Sequence, residues 1–243
     1  MSNRIGIFDV VRGFSVVSMV CFHACYDLVY LRGASLPFLS GFVIDAWRAS
    51  ISWTFLFVSG CMCVLVREGG NLTRALRYAL VAVGIFVVTS VAAVDVPISF
   101  GVMYCIAACT LTYVVLDRLG LAPRGCVAAL VLFTCFLVLL GLPRGYVGIG
   151  DVNAHLPREL YATPWLSWLG LPGPQFASGD YYPLLPYLLV YLSGAAMCSW
   201  WRQAGFPDWA ADAKVGPLAT IGRHSMAVYL VHQPVLIALL SFA

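Results

Sequence analysis

Charged residues are scarce in this chain of 243 residues, at 10% of the total, where an ordinary soluble domain carries about a quarter. With 61% hydrophobic residues and a mean hydropathy of +0.89, an ordinary soluble fold is excluded and a polytopic membrane protein is implied. The net charge of +3 contains no basic run, so no nucleic-acid partner is expected. Paired cysteines are missing as well. Cys21, Cys25, Cys61, Cys63, Cys105, Cys109, Cys126, Cys135 and Cys198 never show CxxC spacing, and most fall inside apolar runs. In Cys21-Phe22-His23-Ala24-Cys25 two residues turn a helix by about 200°, which points both thiols away from His23. The cysteines read as small lipophilic fillers, and no metal site is expected. No internal repeat and no second domain are evident. The opening segment has no convincing small-residue cleavage site, so it reads as a retained span rather than a signal peptide.

Long apolar runs are what the chain does have. Stretches of about 20 residues, enough to cross a bilayer, occur at 10–31, 44–66, 75–94, 98–117, 124–142, 182–203 and 222–242. The expected fold is an all-α, multi-pass helical bundle of about seven transmembrane helices, a single domain over 1–243 in the cell membrane, surrounded by lipid. Cytoplasmic links carry the excess of Lys and Arg. With the N-terminus inside, Arg4, Arg67, Arg74, Arg77, Arg118, Arg124, Arg202, Lys214 and Arg223 are cytoplasmic, against Arg32, Arg48, Arg144 and Arg158 outside. That balance predicts N-in, C-out. Between 143 and 181 hydropathy breaks into an external connection rich in Pro, Gly and aromatics, with Trp165 and Trp168. It reads either as a lid over a site or as a loop in the membrane interface.

Ionisable groups inside the first span are the exception to this apolar pattern. Arg12 and His23 are eleven residues apart, almost three helical turns, so they share one face about 16.5 Å apart along the axis. Asp9 lies three residues before Arg12 and Asp27 four after His23, on the same face. Each such group costs at least roughly 2.5–3.5 kcal/mol at a helix centre on insertion scales, so the stripe is expected to face a protein-lined passage. An imidazole one turn from a carboxylate is a ready general base, and Asp27 is expected to orient His23. The bland alternative is that Asp9 neutralises Arg12 while His23 and Asp27 bond neighbouring helices.

A second polar cluster opens the last run, from Gly222-Arg223-His224-Ser225 to Tyr229-Leu230-Val231-His232-Gln233-Pro234. Ser225, Tyr229 and His232 share a face by their 4,3 spacing, and Ser225 suits an N-cap. His232 reads either as a site residue or as a satisfied buried histidine. His224 is expected at the interface, and His155 in a solvated loop.

Arg4 followed by Phe8-Asp9-Val10-Val11-Arg12-Gly13, ten intervening residues and His23 resembles the R-x10-H first-span signature of acyltransferase-3 type membrane acyltransferases. Phe100-Gly101-Val102-Met103-Tyr104, Asp180-Tyr181-Tyr182-Pro183-Leu184-Leu185-Pro186 and the Gly222-to-Pro234 segment resemble the heparan-α-glucosaminide N-acetyltransferase family and its small bacterial relatives. The motifs occur in order over nearly the whole chain. The resemblance implies a membrane acyltransferase that takes an acetyl group from cytoplasmic acetyl-CoA. The acceptor would be a sugar amine or hydroxyl of an extracytoplasmic glycan or glycolipid. It makes His23 the catalytic histidine and has Arg12 hold the donor's phosphate or pantetheine portion. Residues 32–46 hold no histidine, unlike the heparan-type enzyme, so His23 rests on the acyltransferase-3 pattern. Asp27 would orient His23, and Tyr229 and His232 would close the donor passage opposite. Relatives of both kinds generally have more than seven spans, so part of the usual donor pocket is either missing or supplied by a second subunit, as in a homodimer. A proton-coupled transporter or flippase would also use a charged stripe, and a haem-binding electron carrier would use His23 and His232 as axial ligands.

Overall fold

A computed structural model describes residues 5–66, 69–92, 96–211, 213 and 216–242. Arg4, Arg67 and Lys214 lie outside them. Helices form at each expected span: α1 (Gly6–Arg32), α2 (Gly41–Leu65), α3 (Gly70–Val91), α4 (Val102–Arg118), α5 (Cys126–Leu139) and α6 (Leu184–Ala204). A short α7 (Asp208–Ala211), α8 (Gly216–Arg223) and α9 (Ser225–Phe242) complete the order. Among the described residues, five helices are long and apolar enough to cross a membrane, or six if the bent pair α8 and α9 counts as one span. The fold is an all-α helical bundle of the kind that multi-pass membrane proteins form. Its outward faces carry Phe42, Leu80, Val91 and Val127, all strongly exposed, an anomaly in water and an ordinary surface in lipid.

The chain divides into two compact units, residues 1–58 with 205–243, and residues 59–204. In the second, α3 packs on α4, α5 on α6, and α4 on α6. Several buried polar groups there are paired. The Thr110 and Tyr191 hydroxyls lie 2.9 Å apart, and Ser193 Oγ donates to the Ala129 carbonyl at 2.8 Å. Near the end of α2, Asn71 Nδ2 donates to the Cys63 carbonyl and Arg202 Nη1 to that of Val64, satisfying oxygens a helix terminus leaves open. All nine cysteines are free, and Cys61, Cys63, Cys105, Cys109 and Cys198 are buried.

The 143–181 connection is more structured than its hydropathy implied. Strands β1 (Tyr146–Ile149) and β2 (Val152–His155) pair antiparallel, with Ile149 opposite Val152. Gly150, at φ +56, opens the two-residue turn between them, a position that suits a residue without Cβ. His155 lies on β2 and is exposed. Trp165 is 82% exposed. Tyr181 donates its hydroxyl to the Ser167 carbonyl at 2.6 Å, and burial pushes its phenol pKa up, which keeps it a donor.

Two of the sequence motifs meet at the start of α4. The Val102 N–H donates to Asp180 Oδ2 at 3.3 Å, and the Tyr182 N–H donates to the Phe100 carbonyl at 2.7 Å. A carboxylate at a helix N-terminus satisfies open donors and complements the dipole. Asp180→Ala is expected to destabilise the protein by about 1 kcal/mol, lowering its thermal midpoint by about 2–4 °C. Thermal unfolding of the purified protein in detergent checks this.

Candidate functional site

The polar face of α1 lies within the first unit and is covered by the chain's C-terminal helices. Asp9 and Asp27 are buried, Arg12 and His23 half-buried, whereas Phe14 and Val17 on other faces are exposed. The helix ends at Gly33, whose φ of +68 and N–H bonds to the Leu28 and Val29 carbonyls make an αL cap. The expected single run at 222–242 is instead broken. α8 and α9 meet at His224 with a bend of 84°. A reason for the break lies in the backbone of α1: a Cβ on Gly13 would overlap the Leu218 carbonyl, and one on Gly222 would overlap the Asp9 carbonyl. α8 therefore lies backbone to backbone on the N-terminal part of α1, and α9 leaves from its end along the same helix.

Each end of the α1 stripe meets α9. At the inner end Arg12 Nη2 donates to Ser225 Oγ at 2.7 Å, and Ser225, the first residue of α9, is buried. Farther along, the His23 and His232 rings have centroids 5.0 Å apart and planes at 53°. Gln233 Nε2 donates to both Asp27 oxygens, at 3.2 and 3.0 Å. The pairs 12/225, 23/232 and 27/233 ascend together, so α1 and α9 run in the same sense.

Apolar packing fixes the histidine from the other side. Phe22 lies edge-on to His23 at 5.5 Å and to Trp47 at 5.5 Å, and Trp47 Nε1 donates to Ser18 Oγ at 2.8 Å. Met19, Phe22 and Ile51 form a buried cluster against which Tyr229 packs. Tyr229 also faces His232, with ring centroids 5.8 Å apart. The sequence-predicted residues His23, Asp27, Arg12, Tyr229 and His232 thus gather along one α1–α9 seam.

The partners within the seam differ from those expected. Asp27 was expected to orient His23. Both its oxygens instead accept from Gln233, and among the described residues no hydrogen bond joins it to His23. His232 Nδ1 contacts the Tyr229 carbonyl at 2.7 Å. A carbonyl only accepts, so Nδ1 carries the hydrogen and Nε2 is left as an acceptor. Gln233 escaped the sequence reading, although it sits beside His232 within the quoted motif. His224, at the elbow, is exposed and bonds the Thr220 carbonyl of its own helix. Among the described residues no group of three or more His, Cys, Asp or Glu side chains could hold a metal ion.

A profile described as heparan-alpha-glucosaminide N-acetyltransferase, catalytic, matches residues 4–234. The chain belongs to this family. The match takes in every residue of the seam, from Asp9 to Gln233, and the motif pair at Phe100 and Asp180. It supports an enzymatic activity in general terms, and with the apolar helices it makes the protein a membrane transferase of the acetyltransferase type. Comparisons with curated proteins and with solved structures gave no match.

Ser225→Ala removes the hydroxyl that accepts from a cationic donor. A charge-assisted hydrogen bond of this kind contributes about 1.5–3 kcal/mol. The variant should unfold at a correspondingly lower temperature, whereas His224→Ala, on exposed surface, should stay within about 0.5 kcal/mol of the parent. Paired thermal unfolding curves check the contrast.

Proposed function

We propose that this protein transfers an acetyl group from cytoplasmic acetyl-CoA to a sugar amine or hydroxyl of a glycan or glycolipid on the extracytoplasmic side, using His23. The observation that carries this reading is the α1–α9 seam, which holds a guanidinium at one end and an imidazole pair at the other. Those two ends lie about 16.5 Å apart along α1. The family match supplies the reaction class.

Topology supports a transfer across the membrane. Helices α1 and α9 run in the same sense, so if both cross the bilayer an odd number of crossings must separate them. Helices α2 to α6 supply five. Seven crossings follow, with the N-terminus inside by the basic-residue balance and the C-terminus outside. The shortest are α4, whose 17 residues reach about 25 Å, and α5, whose 14 residues reach about 21 Å and which the turn to Arg144 lengthens to 19 residues, against a hydrocarbon core of about 30 Å. Local thinning of the bilayer accommodates a mismatch of that size at modest cost.

Within this reading Arg12 sits near the cytoplasmic face and holds the donor's phosphate or pantetheine portion. Its planar guanidinium matches phosphate oxygens in pairs. Tyr229 and His232 line the opposite wall of the donor passage. His23, in the outer half, takes the proton from the attacking amine or hydroxyl as the acceptor bonds to the acetyl carbon. The thioester C–S bond breaks, and the proton passes from His23 to the departing thiolate. An acetyl-His23 intermediate is the two-step variant of the same transfer. Asp27 supplies the site's carboxylate, tied to α9. A homodimer would give the donor a second wall.

His23→Ala should reduce transfer from labelled acetyl-CoA to glucosamine by at least about a hundredfold, with unchanged elution on size exclusion. Full activity in that variant would remove the reading. Arg12→Ala should raise the KM for acetyl-CoA about tenfold or more, the loss of a charge-assisted bond, with a smaller effect on kcat. An unchanged KM would contradict its donor role.

A further inference from the structure

Two buried acceptor atoms remain at the seam. His232 Nε2 and Gln233 Oε1 are buried and have no hydrogen-bond partner among the described residues, and His232 is 9% exposed. They belong to adjacent residues of α9: the His232 ring lies beside that of His23, and Gln233 is bonded to Asp27, four residues along α1 from His23. A buried acceptor left unmade costs on the order of 1–3 kcal/mol, so two together in a well-packed seam mark a place where something else supplies hydrogens.

Their presentation is enforced. A carboxylate only accepts, so the amide of Gln233 must turn its NH2 toward Asp27, and both bonds run that way. Oε1 is thereby turned off the carboxylate. The Tyr229 carbonyl likewise holds the hydrogen of His232 on Nδ1, which leaves Nε2 the acceptor. Two separate clamps, one from α1 and one from the backbone of α9, thus hold two neighbouring side chains as acceptors. Packing alone would be served as well by a leucine at position 233, and without the amide Asp27 would lose the partner that both its oxygens use.

We propose that Gln233 is a substrate-binding residue that Asp27 holds in place, and that its Oε1, with His232 Nε2, receives hydrogens from the polar groups that flank the attacking atom of the acetyl acceptor, whose own proton goes to His23. Asp27 is then a positioning residue that acts through Gln233. The inference rests on the acetyl-transfer reading and adds the atoms that orient the acceptor. An N–H of the donor's pantetheine arm offers the same chemistry, and the two sources separate by which KM responds.

The full-length protein in lipid nanodiscs is assayed with acetyl-CoA and glucosamine. Gln233→Leu should raise the KM for glucosamine about tenfold, the loss of a hydrogen bond in a buried site, and leave the KM for acetyl-CoA within about twofold. An unchanged glucosamine KM, or a rise in the acetyl-CoA KM alone, would overturn the proposal. Asp27→Asn, which keeps the shape but frees the amide to invert, should raise the glucosamine KM in the same direction. The double variant should cost no more than Gln233→Leu, because both changes remove one interaction; full additivity would overturn the clamp. If the parent transfers nothing, the acetyl-transfer reading fails by itself, and equilibrium binding of glucosamine then decides this one. Binding weakened about tenfold in Gln233→Leu supports it, and no binding, or equal binding, overturns it.

Discussion

A helix that crosses lipid with four ionisable groups on one face must have that face covered, and this requirement organises the first unit. Asp9, Arg12, His23 and Asp27 would each be costly against acyl chains. The cover comes from α8 and α9, and glycine makes it fit. At Gly13 and Gly222 two backbones touch with no side chain between them, close enough for α8 to lie on the inner turns of α1. The chain then bends at His224, and α9 rises along the rest of the polar face.

That geometry explains why Arg12 and His23, eleven residues apart on the stripe, each have a counterpart on α9. A guanidinium meets a hydroxyl at the inner end, where a polyanionic donor would arrive. An imidazole meets a second imidazole farther out, beside a carboxylate held by an amide. Phe22, Trp47 and Tyr229 fill the flank of the His23–His232 pair with apolar rings, which would limit water around the thioester of the proposed donor. The family match names an acetyltransferase, and the seam shows how a single pair of helices could serve a donor on one side and an acceptor on the other.

Much of this was legible in the sequence. The 3.6-residue period alone put Arg12, His23 and both aspartates on one face, and a helix stands at each expected apolar run. The 4,3 spacing of Ser225, Tyr229 and His232 placed them on a common face of α9. Other features were hidden for identifiable reasons. Hydropathy averages over about 20 residues and so missed the elbow at His224, since apolar residues continue on both sides of it. Gly150-Asp151 between Ile149 and Val152 is a two-residue hairpin signal, but on the scale of hydropathy it registers only as a break between apolar runs. Local spacing paired Asp27 with His23, four residues away, whereas the structure gives its oxygens to Gln233, 206 residues further along the chain. No periodicity within one helix reveals a partner on another.

The central claim is that the α1–α9 seam passes an acetyl group from one face of the membrane to the other. Its most direct test uses sealed inverted vesicles, whose cytoplasmic face is outward, supplied externally with labelled acetyl-CoA. Acetylated glucosamine should form when the amine is enclosed in the lumen and should be absent when the amine is confined outside with the donor. Product formed only when both substrates share the outer face would contradict a transmembrane passage along this seam.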